Sequence, residues 1–72
     1  MNKIKITKYG KSTVGYVSDY QLYKLKRFEF DMTFNLRLIH PKELSIEGVA
    51  AYERITFNKH SKLEVFEDEI YT

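Results

Sequence analysis

From Phe28 to Ile39 the chain alternates with a period of two. Phe28, Phe30, Met32, Phe34, Leu36 and Leu38 take one parity, and Glu29, Asp31, Thr33, Asn35 and Arg37 take the other. Such alternation is the pattern of a strand with one buried face, because successive side chains of an extended chain point to opposite sides. A strand this long in a chain of 72 residues specifies much of the core, and every other element must bring an apolar face to cover it. A chain of this size has room for one domain, buries only about 60% of the surface its unfolded form exposes, and does not enclose a deep cleft.

The segments on either side follow from the same argument. Residues 3–7 and 13–18 alternate as two further strands, separated by Tyr9-Gly10-Lys11. A three-residue loop with Gly10 in the left-handed position sets Ile6 against Val14, Ile4 against Tyr16 and Lys5 against Gly15. One face of that hairpin is then apolar, and the other carries Lys3, Lys5, Thr7 and Thr13 around a bare glycine. The parity breaks after Asp19, since running the long strand backwards would bury Lys24 and Lys26. A short helix over about 19–27 resolves the conflict; a bulged strand is the competing reading, since tyrosine and phenylalanine favour strands. Ser18 and Gln21 have the spacing of a capping box, with Leu22 and Leu25 on one side and Tyr20, Tyr23, Lys24 and Arg27 on another.

Pro41 ends the long strand and can open one or two helical turns, with Gly48 as their stop. Val49 to Phe57 reads as a strand with Tyr52, Arg54 and Thr56 outward. Glu53 falls on the inward parity, so the strand is expected to begin after it or to bulge there. Residues 58–62 read as a hairpin loop, after which Leu63 and Val65 would face Phe57 and Ile55. The expected fold is α+β and mainly β. It is a small antiparallel sheet, or a partly open SH3- or OB-like barrel, of about five strands with one short helix.

Composition excludes several kinds of function. With no cysteine there are no disulfides, thiolate metal ligands or thiol nucleophiles. No apolar run approaches the roughly 20 residues of a membrane span, and the amino-terminal segment alternates where a signal peptide would be continuously apolar, so a cytoplasmic location without membrane contact is expected. Gly10-Lys11-Ser12-Thr13 has the ending of a phosphate-binding loop. Lys5 stands where the first glycine of that loop belongs, and the segment reads as a turn between strands. His40, Glu43 and His60 are the available metal or acid–base residues, and nothing in their spacing makes them converge. Glu29 and Asp31 share one strand face and read as solvated. No cofactor and no catalytic activity are expected.

Charge is more informative. The net charge of +2 divides into +6 over residues 1–27 and −4 over residues 28–72. In the basic part Lys3, Lys5, Lys8, Lys11, Lys24, Lys26 and Arg27 are interleaved with Tyr9, Tyr20 and Tyr23. Rings that stack on bases, beside cations that neutralise phosphates, are what a sequence-tolerant nucleic-acid-binding module needs. The alternative is a stand-alone inhibitor or adaptor of the kind phage and mobile elements encode. It would block a larger protein and use its acidic carboxy-terminal half, Glu64, Glu67, Asp68 and Glu69, as a nucleic-acid mimic. The plainest reading is two oppositely charged halves that attract within one fold. Exposed edge strands in so small a sheet would also allow a homodimer.

Overall fold

The computed structural model describes residues 1–27, 31–39 and 51–70, with backbone only for 67–70. Five strands and one helix follow in the order β1 (Asn2–Lys8), β2 (Lys11–Val17), α1 (Asp19–Lys26), β3 (Met32–Arg37), β4 (Tyr52–Phe57) and β5 (Ser61–Ile70). They form a single antiparallel sheet in the order β4-β3-β2-β1-β5. The mainly β architecture and the short helix are those the sequence predicts, and the sheet is not closed. No helix among the described residues is long and apolar enough to cross a membrane.

The β1–β2 connection differs from the expected loop. Tyr9 and Gly10 both have positive φ, 52° and 79°, which is the signature of a two-residue type I′ turn whose twist matches that of the strands it joins. One residue fewer in the turn shifts the register, and a shift of one inverts a strand's faces. Ile6 now pairs with Thr13, Ile4 with Gly15 and Asn2 with Val17; Lys5 pairs with Val14 and Lys3 with Tyr16. Tyr16 and Val14 therefore join the lysines on the outer face, and Gly15 lies buried on the inner one. A Cβ at Gly15 would fall 2.6 Å from the Arg37 carbonyl oxygen and 2.8 Å from Leu36 Cδ1, so glycine is what allows β3 to approach β2 there.

The core is built from the inner parity of each strand. Ile4, Ile6, Val17, Leu36 and Phe57 are buried together with Leu25 of the helix, and Leu22, Met32, Phe34, Ile55, Leu63 and Val65 pack against them. Because Leu25 belongs to this cluster, α1 lies on the inner side of the sheet. Ser18 caps it, its Oγ accepting from the Gln21 amide at 3.1 Å. The buried Asn2 side chain donates to Asp19 Oδ1 at 2.8 Å and so fixes the start of the helix to β1. In β3 the predicted parity holds for Met32, Phe34 and Leu36 inward and Thr33, Asn35 and Arg37 outward. Phe28, Phe30, Glu29, the expected turns after Pro41, and residues 49 and 50 lie outside the described residues.

Two expectations about the carboxy-terminal strands are corrected. The β3–β4 ladder runs without interruption from Met32↔Phe57 to Arg37↔Tyr52, so Glu53 sits inside the strand with no bulge, half-buried and opposite Leu36. Leu63 and Val65 do not pair with Phe57 and Ile55. They lie opposite Ile6 and Ile4, because β5 is hydrogen-bonded to β1. Residues 58–60 thus join strands at opposite edges of the sheet. So short a connection requires the sheet to curl until its edges approach. Consistent with this, Lys8 Nζ of β1 donates to the Thr56 carbonyl of β4 at 3.2 Å.

Candidate functional site

The register of the five strands decides which side chains share the outer face. From β1 and β2 come Lys3, Lys5, Thr7, Ser12, Val14 and Tyr16. The β3–β4 pair supplies Thr33, Asn35, Arg37, Tyr52, Arg54 and Thr56. Lys62 and Glu64 of β5 lie opposite Thr7 and Lys5, and Phe66 lies beneath Lys3, whose Nζ is 5.2 Å from the ring centroid. Five cations, Lys3, Lys5, Arg37, Arg54 and Lys62, thus face outward with the one carboxylate Glu64, a net charge of +4 on the described outward positions.

Within this face one row crosses all five strands. Tyr52 pairs with Arg37, Arg37 with Tyr16, Tyr16 with Lys3, and Lys3 stands over Phe66. The row therefore alternates aromatic, cation, aromatic, cation, aromatic. It falls where β2 and β3 meet, since Tyr16↔Arg37 is the register pair that joins them among the described residues. Gly15 and Leu36, next along the two strands, close the seam from the inner side.

Arg37 at the middle of the seam is incompletely satisfied. It is half-buried, and its Nε is buried with no hydrogen-bond partner among the described residues. An Nη donates to the Met1 sulfur at 3.7 Å, a weak acceptor at long range. A buried donor left without an acceptor costs about 1–3 kcal/mol. Carboxylates and phosphates are the acceptors that match a guanidinium in two-point geometry. Tyr52 beside it is 57% exposed.

The residues expected to act together from the sequence are divided among three places. Lys3 and Lys5 are on the outer sheet face. Tyr20, Tyr23, Lys24, Lys26 and Arg27 project from the solvent side of α1 across the sheet, as the helical spacing predicts. There Lys24 Nζ lies 5.3 Å from the Tyr20 ring. Arg27 donates to the Tyr23 hydroxyl at 2.6 Å, its guanidinium carbon 5.5 Å from the ring centroid. Lys8, Tyr9 and Lys11 gather at the β1–β2 turn, where the Tyr9 ring packs on His60 with centroids 5.3 Å apart. β1 is seven residues long, so this turn stands about 20 Å from the end that leads to the helix.

Sequence reasoning missed Tyr16, Arg37, Tyr52, Arg54, Lys62 and Phe66 as members of one surface. The outward parity of Arg37, Tyr52 and Arg54 was readable, but nothing local shows which strands are neighbours. Of the acidic residues, Glu64 is exposed and stands among the cations, opposite Lys5 and next to Lys62 on its own strand face. The side chains of Glu67, Asp68 and Glu69 lie outside the described residues, as do Glu29, His40 and Glu43. No three His, Cys, Asp or Glu side chains converge among the described residues. Gly10-Lys11-Ser12-Thr13 forms the turn and the start of β2, where the Ser12 and Thr7 hydroxyls lie 2.8 Å apart.

Comparison with protein-family models, with curated proteins and with solved structures finds no match to this chain.

Proposed function

We propose that the protein is a non-enzymatic module that binds nucleic acid through the outer face of its sheet. The observation that carries this reading is the outward surface, +4 over its described positions, in which Lys3, Lys5 and Arg37 are interleaved with Tyr16, Tyr52 and Phe66. Cations at that density neutralise a phosphate backbone, and rings among them offer stacking surfaces. Three arginines in the chain, of which Arg37 and Arg54 share this face, leave little means of reading base edges, so weak sequence preference is expected. The tyrosines and cations of α1 and of the β1–β2 turn lie outside this face. Their cations contribute to the long-range field more than to contacts.

The inhibitor reading rests on an acidic surface. Among the described acidic side chains it can draw on Glu64, which stands within the basic face. A homodimer would use β4 or β5, the outermost strands of the open sheet.

Fluorescence anisotropy of labelled DNA and RNA, single- and double-stranded, tests the reading at about 50 and 200 mM salt, a range in which electrostatic contacts weaken strongly. Micromolar or tighter binding that falls steeply with salt is expected. Absence of binding at the lower salt refutes it and turns attention to protein partners.

A further inference from the structure

We infer that the ligand is a single strand, and that it lies across the β-strands along the row Tyr52, Arg37, Tyr16, Lys3 and Phe66, with a phosphate held by Arg37. This rests on the nucleic-acid reading above and narrows it.

Two observations place the ligand: one chooses a single strand over a duplex, and the other puts a phosphate at Arg37. The first is where the aromatic residues sit. Tyr52 and Tyr16 are two strands apart, on β4 and β2, with Arg37 of β3 between them. Neighbouring strands are about 4.8 Å apart, so the two tyrosine positions are separated by roughly 10 Å. Stacked bases along one strand of a duplex follow each other at about 3.4 Å and hide their faces from side chains. Rings spaced so widely can be met only by bases that have left the stack, which a single strand presents and a duplex does not. A duplex would use the cations and leave the rings idle.

The second observation is Arg37. Arg37 is half-buried, its Nε has no acceptor among the described residues, and one Nη approaches the Met1 thioether at 3.7 Å. A phosphate oxygen at the solvent-reaching end of this half-buried side chain gains a charge-assisted hydrogen bond from a cation that the seam already holds in place, so little ordering is lost on binding. With the phosphate fixed between Tyr52 and Tyr16, the nucleotides on its two sides are delivered to the two rings. Continuing along the row, Lys3 receives the next phosphate. The row spans five strands, about 19 Å measured along the curve of the sheet.

The test is anisotropy with the full chain and fluorescent 12-nucleotide single strands, DNA and RNA, alongside 12-base-pair duplexes of the same sequences. Wild type, Tyr52→Ala and Arg37→Lys are compared. Tyr52 is exposed, so its truncation should leave the fold intact, and Arg37→Lys keeps the charge; circular dichroism verifies both. The expected result is that single strands bind at least about tenfold more tightly than duplexes. Tyr52→Ala should weaken single-strand binding roughly 5- to 100-fold while barely changing duplex binding. Arg37→Lys should weaken single-strand binding several-fold despite the conserved charge, because lysine lacks the two-point donor geometry. The DNA and RNA arms show which strand is preferred, and either preference supports the row. Equal affinity for duplex and single strand, with both variants unchanged, overturns the row and leaves the basic face as a general phosphate-binding surface. No binding to any probe overturns the nucleic-acid reading itself.

Discussion

Helix α1 and the outer sheet face both present tyrosines beside cations, yet the two are built differently. On the helix the partners are four residues apart, Tyr20 with Lys24 and Tyr23 with Arg27, and each cation is already engaged with its own ring. Such pairs follow from helical spacing alone and contribute a few tenths of a kcal/mol to the helix. On the sheet face the alternating aromatic and cationic residues come from five different strands, and Arg37 at its centre has a buried nitrogen without an acceptor among the described residues. Proximity in sequence produces pairs that satisfy each other. Register between distant strands gathers side chains that no local spacing would pair.

The largest effect that separates the two regions is expected at Gly15. Its added Cβ in Gly15→Ala would meet the Arg37 carbonyl oxygen and the Leu36 side chain at the place where β2 joins β3. Backbone cannot yield as a flexible side chain can, so a loss of about 3 kcal/mol is expected. In a domain of this size that is most of the stability. Thermal and urea unfolding by circular dichroism measure it. A variant as stable as wild type would show that the seam is looser than described. The row on the outer face would then lack the rigid support the comparison assigns to it.

Binding gives the next contrast. Replacing Lys3 and Lys5 together by alanine removes two cations from the sheet face, and each phosphate contact contributes about 0.7 to the salt slope for a single strand. The slope of log K against log salt is therefore expected to fall by about 1.4. The double change Lys24→Ala with Lys26→Ala removes the same charge from the helix and should lower the slope less. Equal slopes for the two variants would mean that the helix also contacts the ligand, and the distinction between the regions would fail.

The comparison also shows what could be read from the sequence. Helix α1 was legible because its determinants are local. Lysines on the wrong parity forbid a regular strand and leave a helix or a bulged strand; Ser18 three residues before Gln21 and leucines on one side favour the helix that is found. The centre of the expected Phe28–Ile39 strand and the outward set Tyr52, Arg54 and Thr56 were legible for the same reason, through a period of two, but the strand ends at Arg37 and Leu38, expected inward, is exposed. The sheet face was not. Tyrosine gives no signal for the left-handed position that Tyr9 takes in the two-residue turn, where asparagine, aspartate or glycine is usual. Taking three loop residues for two moved Tyr16 and Val14 to the core and Gly15 to the surface. The pairing of Tyr16 with Arg37 and of β5 with β1 joins residues far apart in the chain, and apolar periodicity carries no information about which strands become neighbours.

A smaller effect is expected where the two regions are tied together. Asn2 is only 4% exposed and gives its side-chain N–H to Asp19. Asp19→Ala leaves that buried amide without its partner and removes an acidic residue from the first turn of the helix, so a loss of about 1–2 kcal/mol is expected. Urea unfolding measures it. If stability were unchanged, the helix would be held by Leu25 and Leu22 alone.

The smallest effect is expected on the helix surface itself. Tyr23→Phe removes the hydroxyl that accepts from Arg27 at 2.6 Å and keeps the ring beneath the guanidinium. Both groups are exposed, so water replaces the lost hydrogen bond, and the cation–π contact persists. Stability should change by less than about 0.5 kcal/mol, as is usual for surface substitutions. Nucleic-acid affinity at physiological salt should stay within about twofold, because the helix pairs are proposed to act through the field and Tyr23→Phe leaves the charge untouched. Denaturation and anisotropy on the same variant read both quantities. A large fall in affinity with stability intact would show that the Tyr23 hydroxyl touches the ligand, extending the binding surface from the sheet onto the helix and making the two regions one site.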